Sequence, residues 1–265
     1  MNTIANIPSW LGVAASVVLV MLAMTVSARG RLGLTKEIAV AAIRAFVQLL
    51  AVGALLLVVF EKGGMAAAFG WLAVMVVIAA GVAGRRAAPL PHAMRHAGMA
   101  IAMAVAVTVG ALLALQVIAA TPEVVIPVGG MVVSAAMAAT ALTLRRVVES
   151  AQEQRERVEA RLSLGFSAGD AFAPEQQSAV KTALVPAIDT TKVVGLISLP
   201  GAMTGLILAG VDPLEAIRYQ IVVMYMLLSA AALAAMLAAR FAQRSLFSAG
   251  DRLVRLDVAT ANIGS

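Results

Sequence analysis

Few residues in this sequence have both the type and the surroundings to do chemistry, and those that do suit the handling of a cation. Asp189, in PAIDTTK, precedes an apolar run. An acid at the mouth of a cation's route could recruit a metal, and the same residue type is a favoured helix N-cap. Glu123 and Asp212, in the turns TPE and VD, could mark an exit in the same way or be solvated loop charges. Met131 and Met203, with Met137 and Met224 behind them, offer soft thioethers, although methionine is equally an adaptable packing residue. His92 and His96 have the i,i+4 spacing that binds a metal from one helical face. Their setting, the basic loop PLPHAMRH without a carboxylate nearby, favours a plain structural role.

Two further constellations bear on passage through an apolar medium. Arg44 and Gln48 share one face of an apolar stretch, where an arginine is costly and often functional. Snorkelling toward a nearby interface is the alternative. Helix-breaking residues interrupt two other apolar stretches, Pro127-Val128-Gly129-Gly130 in one and Ser198-Leu199-Pro200-Gly201 with Thr204-Gly205 in the other. Such breaks free backbone carbonyls, which is tolerated where protein or a water-filled cavity satisfies them, so a substrate path beside them is one reading. Close packing through the small residues Gly201 and Gly205 is the other. No cysteine is present, so thiolate chemistry and disulfides are excluded. No G-x-x-x-x-G-K-[ST], H-E-x-x-H or G-x-S-x-G occurs, so neither a nucleotide cradle nor a familiar hydrolase site is encoded.

The elements that hold these residues are membrane spans. Of the 265 residues 62% are hydrophobic, above the roughly 45–50% of soluble domains. Seven stretches approach the ~20 apolar residues that cross a hydrocarbon core. They run from Trp10 to Ala28, Ile38 to Phe60, Met65 to Gly84, Ala97 to Ala120, Val124 to Leu144, Val193 to Gly210 and Pro213 to Ala239. The expected fold is all-α, a single polytopic domain of about seven spans. The net charge of +6 reflects topology and not nucleic acid, because Lys and Arg collect in cytoplasmic loops. With the amino terminus outside, the inner segments hold Arg29, Arg31, Lys36, Arg85, Arg86, Arg95 and the tail cations up to Arg255. The outer loops keep only Lys62, beside Glu61. An inner (plasma) membrane location with the carboxy terminus in the cytoplasm follows as an expectation.

The single large hydrophilic insertion, 145–192, separates spans five and six. RRVVESAQEQRERVEARLSL contains strong helix formers and pairs such as Glu153 with Arg157. Gly165 stops it, and a second short helix is expected after the turn. Within it, Glu159-Ala160-Arg161-Leu162-Ser163-Leu164-Gly165 resembles the E-A-A-x-x-x-G loop with which ABC permeases dock into a groove of their ATPase, with Arg161 replacing the second alanine.

The stretch ALVPAIDTTKVVGLISLPGAMTGLILAGVDPLEAIRYQIVVMYMLLSA, Ala183 to Ala230, resembles the FetB-like iron-export ABC permeases, whose plant relatives are linked to aluminium tolerance. IRAFVQLL, from Ile43, and IPVGGMVVSAAM, from Ile126, extend the likeness across most of the chain. The resemblance implies a permease that binds no cofactor itself and pairs with a cytoplasmic ATPase using ATP and Mg, two of each. It implies outward movement of a metal or metal-linked solute, with Glu159, Ala160 and Gly165 in the coupling loop. One departure is Ser134-Ala135 where the family pattern has Gly-Asn, which draws Ser134 into the candidate pathway and leaves the cargo open. The rival readings are an ion-gradient-driven carrier or channel, disfavoured by the scarcity of intramembrane carboxylates, and a membrane scaffold that signals through its cytoplasmic helices.

Overall fold

The computed structural model describes residues 9–62, 64–248 and 252–254. Arg255 and the side chains of Glu61 and Lys62, used above for orientation, lie outside that description. The described chain forms α1 (Trp10–Arg29), α2 (Thr35–Lys62), α3 (Gly64–Arg85), α4 (Ala93–Ala114), α5 (Pro122–Glu153), α6 (Arg155–Ser163), α7 (Ala168–Val193), α8 (Gly201–Leu208) and α9 (Pro213–Leu246). Helix starts follow their side chains. Ser9 Oγ accepts from the Gly12 amide, Ser167 Oγ from Asp170, and Asp212 Oδ1 from Leu214 at 2.8 Å, each covering an otherwise unpaired first-turn donor. Asp212 is thus the N-cap of α9, with Pro213 behind it at a position where no amide is needed.

Six of these helices, α1 to α5 and α9, are long and apolar enough to cross a bilayer. The protein is a polytopic α-helical membrane protein. At 32 and 34 residues, α5 and α9 outrun the hydrocarbon core and carry their basic ends beyond it. They pack on each other and on α3, α4 and α7 to form the core. One face of α9 is almost wholly alanine, with Ala230, Ala231, Ala234, Ala235, Ala238, Ala239 and Ala242 all buried. Small side chains let helix backbones approach closely where no hydrophobic drive exists between spans. The α3–α4 contact is closer still: a β-carbon on Gly84 would lie 2.6 Å from Met94 Cα. On Gly129 it would meet the Leu72 side chain.

The first two helices stand apart. Among the described residues, α1 packs only against α2, and α2 touches the core chiefly through Leu56 and Val59 in its distal half.

The expected sixth span is corrected. No continuous helix covers 193–210: the chain leaves α7 at Val193, turns through 194–200, and resumes in α8, whose 8 residues extend only about 12 Å. The helix after Gly165 is not short either, since α7 has 26 residues and contains both Pro174 and Pro186. Its second half is not part of a free insertion, because Val180, Leu184 and Ala187 pack on Ala139, Ala231 and Ala235 of α5 and α9. α7 and α8 are the extra helices between the last two spans, and together they make a discontinuous element inside the bundle. The expected Glu153–Arg157 pairing also gives way: Gln154 interrupts the helix between them, and Arg155 bonds Glu159 at 2.7 Å instead.

Candidate functional site

A cavity of about 550 Å³ opens where α5, α7, α8 and α9 meet. Each wall has a local reason to be there. α5 contributes Met131, Ala135, Ala138 and Ala139, whose small side chains leave room. α7 contributes Ala183, Pro186, Ala187, Thr190 and Thr191. The two threonine hydroxyls donate to the Pro186 and Ala187 carbonyls at 2.8 Å, so this polar stretch stays helical while lining an apolar space. The break adds Ser198, Leu199, Pro200 and Gly201. It is held by the Gly195 amide donating to the Ser198 carbonyl at 2.9 Å, with Gly195 at a φ of +81°, a left-handed conformation open to glycine.

α9 closes the cavity with Gln220, Val223, Met224 and Leu227. Gln220 is only 5% exposed, and its Oε1 has no hydrogen-bond partner. An amide oxygen left unpaired in an apolar wall costs about 1–3 kcal/mol, so Gln220 offers an acceptor to a water or solute that enters the cavity. No charged side chain lines the space. The donors it presents are neutral: the Gln220 amide oxygen, the Ser198 hydroxyl and the thioethers of Met131 and Met224.

The residues singled out from the sequence divide. Met131, Ser198, Pro200 and Gly201 come together at the cavity, with Met224. Thr204 stands one turn along α8, its hydroxyl donating to the Pro200 carbonyl at 3.1 Å. Met203 lies on α8 outside the lining, and Ser134 is exposed beside the lining Ala135. Asp189 is not an N-cap and does not line the cavity: it lies inside α7 on the face away from it, paired with Lys192 at 3.5 Å. Glu123 sits in the first turn of α5. Arg44 and Gln48 are exposed on α2, which packs on none of α7, α8 or α9. Among the described residues no three of His, Asp or Glu cluster as a metal site. His92 and His96 share a small recess with Arg95 and Arg244, whose charge opposes a bound cation.

Gln220 has a signal in the sequence: it shares a helical face with Val223, Met224 and Leu227 at i+3, i+4 and i+7, which marks an inward position. Its neighbours Arg218 and Tyr219 draw attention to the interface instead.

At the basic end, α6 and the start of α7 form a hairpin. α6 ends at Ser163, and Gly165, with a φ of +88°, reverses the chain. Leu164 and Phe166 flank it, 78% and 52% exposed. Arg161 is what locks the hairpin: its Nη1 donates to the Ala171 carbonyl at 2.7 Å and to Glu175 Oε2 at 2.8 Å. Val158 and Phe172 are fully buried beneath it, and the Phe172 ring meets Phe247 edge-on at 6.3 Å. The residue that departs from the loop pattern is therefore the one that ties α6 to α7, and Glu175 is the partner that sequence reasoning missed.

Comparison with known proteins covers nearly the whole chain. The model of the family described as Uncharacterised protein family (UPF0014) matches residues 10–247. The chain is 40% identical to the rice UPF0014 membrane protein STAR2 over 241 residues, 91% of this chain and 84% of that protein. It is 38% identical to the Arabidopsis thaliana Protein ALUMINUM SENSITIVE 3, over 82% of this chain and 80% of the relative. It is 33% identical to the Escherichia coli Probable iron export permease protein FetB, over 91% and 93%. No solved structure matches. The chain belongs to the UPF0014 membrane-protein family, which includes STAR2, ALUMINUM SENSITIVE 3 and FetB.

Proposed function

We propose that this chain is the membrane-spanning permease of an ABC transporter, driven by a separate cytoplasmic ATPase and exporting a metal or metal-linked solute. The observation that carries this reading is a continuous mechanical connection. The apolar tip at Leu164 and Phe166 stands out at the basic end, which the positive-inside rule assigns to the cytoplasm. The tip is fastened by Arg161 and Glu175 to α7, and α7 forms one wall of the cavity. A partner that grips the tip therefore moves a wall of a cavity built around a broken helix. Alternating access through a discontinuous helix uses such an arrangement. The chain itself is a transporter subunit and not an enzyme, and its likeness to a protein named a probable iron export permease supports metal as cargo; two permeases with two ATPases form part of the same proposal.

The test seeks an ABC ATPase among the proteins that co-purify with the full chain, reconstitutes the two in liposomes, and measures hydrolysis with and without ferrous iron. The expected result is hydrolysis stimulated by the permease and further by iron, and lost when Leu164→Glu places a charge on the tip. Hydrolysis indifferent to the permease, or solute movement without any ATPase, overturns the proposal; stimulation by an organic solute alone keeps the machinery and overturns the metal.

A further inference from the structure

The inner half of α2 poses a problem that the single chain does not solve. The helix faces α1 with Ala39, Ala42, Ile43 and Phe46. At 100° per residue, Arg44 and Gln48 lie on the opposite side, with Val59 and Val52 within a quarter turn of Arg44. In the distal half that side is partly buried, Val59 packing on the core, with Leu56 also on the core a further sixth of a turn round. In the basic half the same side carries Arg44 and Gln48, both exposed. One stripe of α2 is thus covered along half its length, and its uncovered half holds a guanidinium with no ion-pair partner among the described residues.

A complementary defect occurs elsewhere on the chain. The face of α7 turned away from the cavity carries Val185 and Ile188, both exposed, and between their turns Asp189. Its carboxylate is exposed and meets only Lys192, at the 3.5 Å limit of a contact. Register gives its depth. The cavity is lined by 131–142 of α5 and, running the opposite way, by 183–194 of α7, which puts Ala187 near Ala139; Ala139 precedes Arg145, the first cation past the span, by about 9 Å of helix, and Asp189, two residues further outward, lies about 12 Å from that boundary. Arg44 stands the same distance, about 12 Å, beyond Lys36, the last cation before span two. The two opposite charges therefore sit at one depth in the apolar layer. They cannot meet within the chain, because α2 and α7 do not pack together.

We infer that the open stripe of α2 receives α7 of a second copy of this chain, with Arg44 of each protomer paired to Asp189 of the other. A two-fold arrangement makes the contact reciprocal, so both pairs form at once. The α1–α2 hairpin, which has so little purchase on its own bundle, then embraces its partner's. Burial explains why an arginine and an aspartate stand in spans at all, since each is costly in lipid alone. This inference rests on the paired-permease reading and adds the surface that pairs.

The chain has no cysteine, so single thiols report contacts without background. Arg44→Cys in one tagged copy and Asp189→Cys in a differently tagged copy are co-expressed in membranes and treated with a short bis-methanethiosulfonate linker. A linker is needed because two long side chains separate the backbones beyond disulfide reach. The expected product is a covalent dimer carrying both tags, absent when Val77→Cys on exposed α3 replaces Arg44→Cys. Charge reversal supplies the second readout: Arg44→Asp or Asp189→Arg alone lowers the dimer fraction about tenfold, and the two together restore it. Linkage within one chain carrying both thiols overturns the inference. Persistent dimers without the mixed product overturn this surface and leave the paired permease standing, whereas absence of any dimer overturns both.

Discussion

Replacing Glu175 by glutamine isolates the clamp between the coupling tip and the cavity wall. The side chain is 8% exposed and receives Arg161 Nη1 on both oxygens, at 3.0 and 2.8 Å. Glutamine keeps the shape and one acceptor but removes the charge. Hydrogen bonds to charged groups contribute about 1.5–3 kcal/mol, and Arg161 is 30% exposed, so screening places the loss near the lower part of that range, about 2 kcal/mol. At 1.4 kcal/mol per factor of ten, opening of the α6–α7 hairpin becomes about 30-fold more populated. Limited trypsin digestion reads this directly, because Arg155, Arg157 and Arg161 lie in the hairpin and Glu175→Gln leaves all of them intact. With opening fast relative to cleavage, the cutting rate rises by the same factor, about 30-fold, while α3 and α4 stay protected. Cleavage within about twofold of the parent would refute the clamp, because an open population cannot rise so far unseen by the protease.

The remaining expectations concern packing and the cavity. Gly84→Ala drives a methyl into Met94 Cα at 2.6 Å and costs about 1–3 kcal/mol, seen as a lower melting temperature in detergent. Gly165→Ala meets no neighbour within 4 Å, so only its φ of +88° is penalised, by about 1–2 kcal/mol, and trypsin sensitivity of the hairpin reports it. Gln220→Leu removes an unpaired buried oxygen, so the melting temperature holds or rises while solute-dependent stimulation of the ATPase falls; a clear loss of stability would mean that the amide is satisfied in the resting protein.

Hydropathy made five of the first five spans and the last one legible, because each is a long apolar run bounded by turn residues or cations. It failed at the sixth for a physical reason. PAIDTTK reads as a polar connection, yet Thr190 and Thr191 spend their hydroxyls on the carbonyls one turn back, so α7 continues through them into the bundle. Val193 to Gly210 reads as one apolar run, yet Gly195 and Pro200 set backbone angles that a helix does not take. Of the candidate site, Met131, Ser198, Pro200 and Gly201 were visible as helix breakers and soft donors. Gln220 was overshadowed by Arg218 and Tyr219, although Val223, Met224 and Leu227 share its helical face. Glu175 was invisible because its partner Arg161 is fourteen positions away, across a turn whose geometry no periodicity encodes.

The alanine face of α9 also limits where the molecule can change shape. Alanine has no rotamers, so the seam that joins α9 to α4 and α5 cannot repack by swapping side-chain conformations, and it holds or separates as a unit. The segment 194–200 has the opposite character: it lies between helices α7 and α8, and Leu196 and Ile197 are 87% and 81% exposed. A pull on α7 is then taken up at that joint, as in a lever with a stiff post and one soft pivot, and the pivot lies at the cavity.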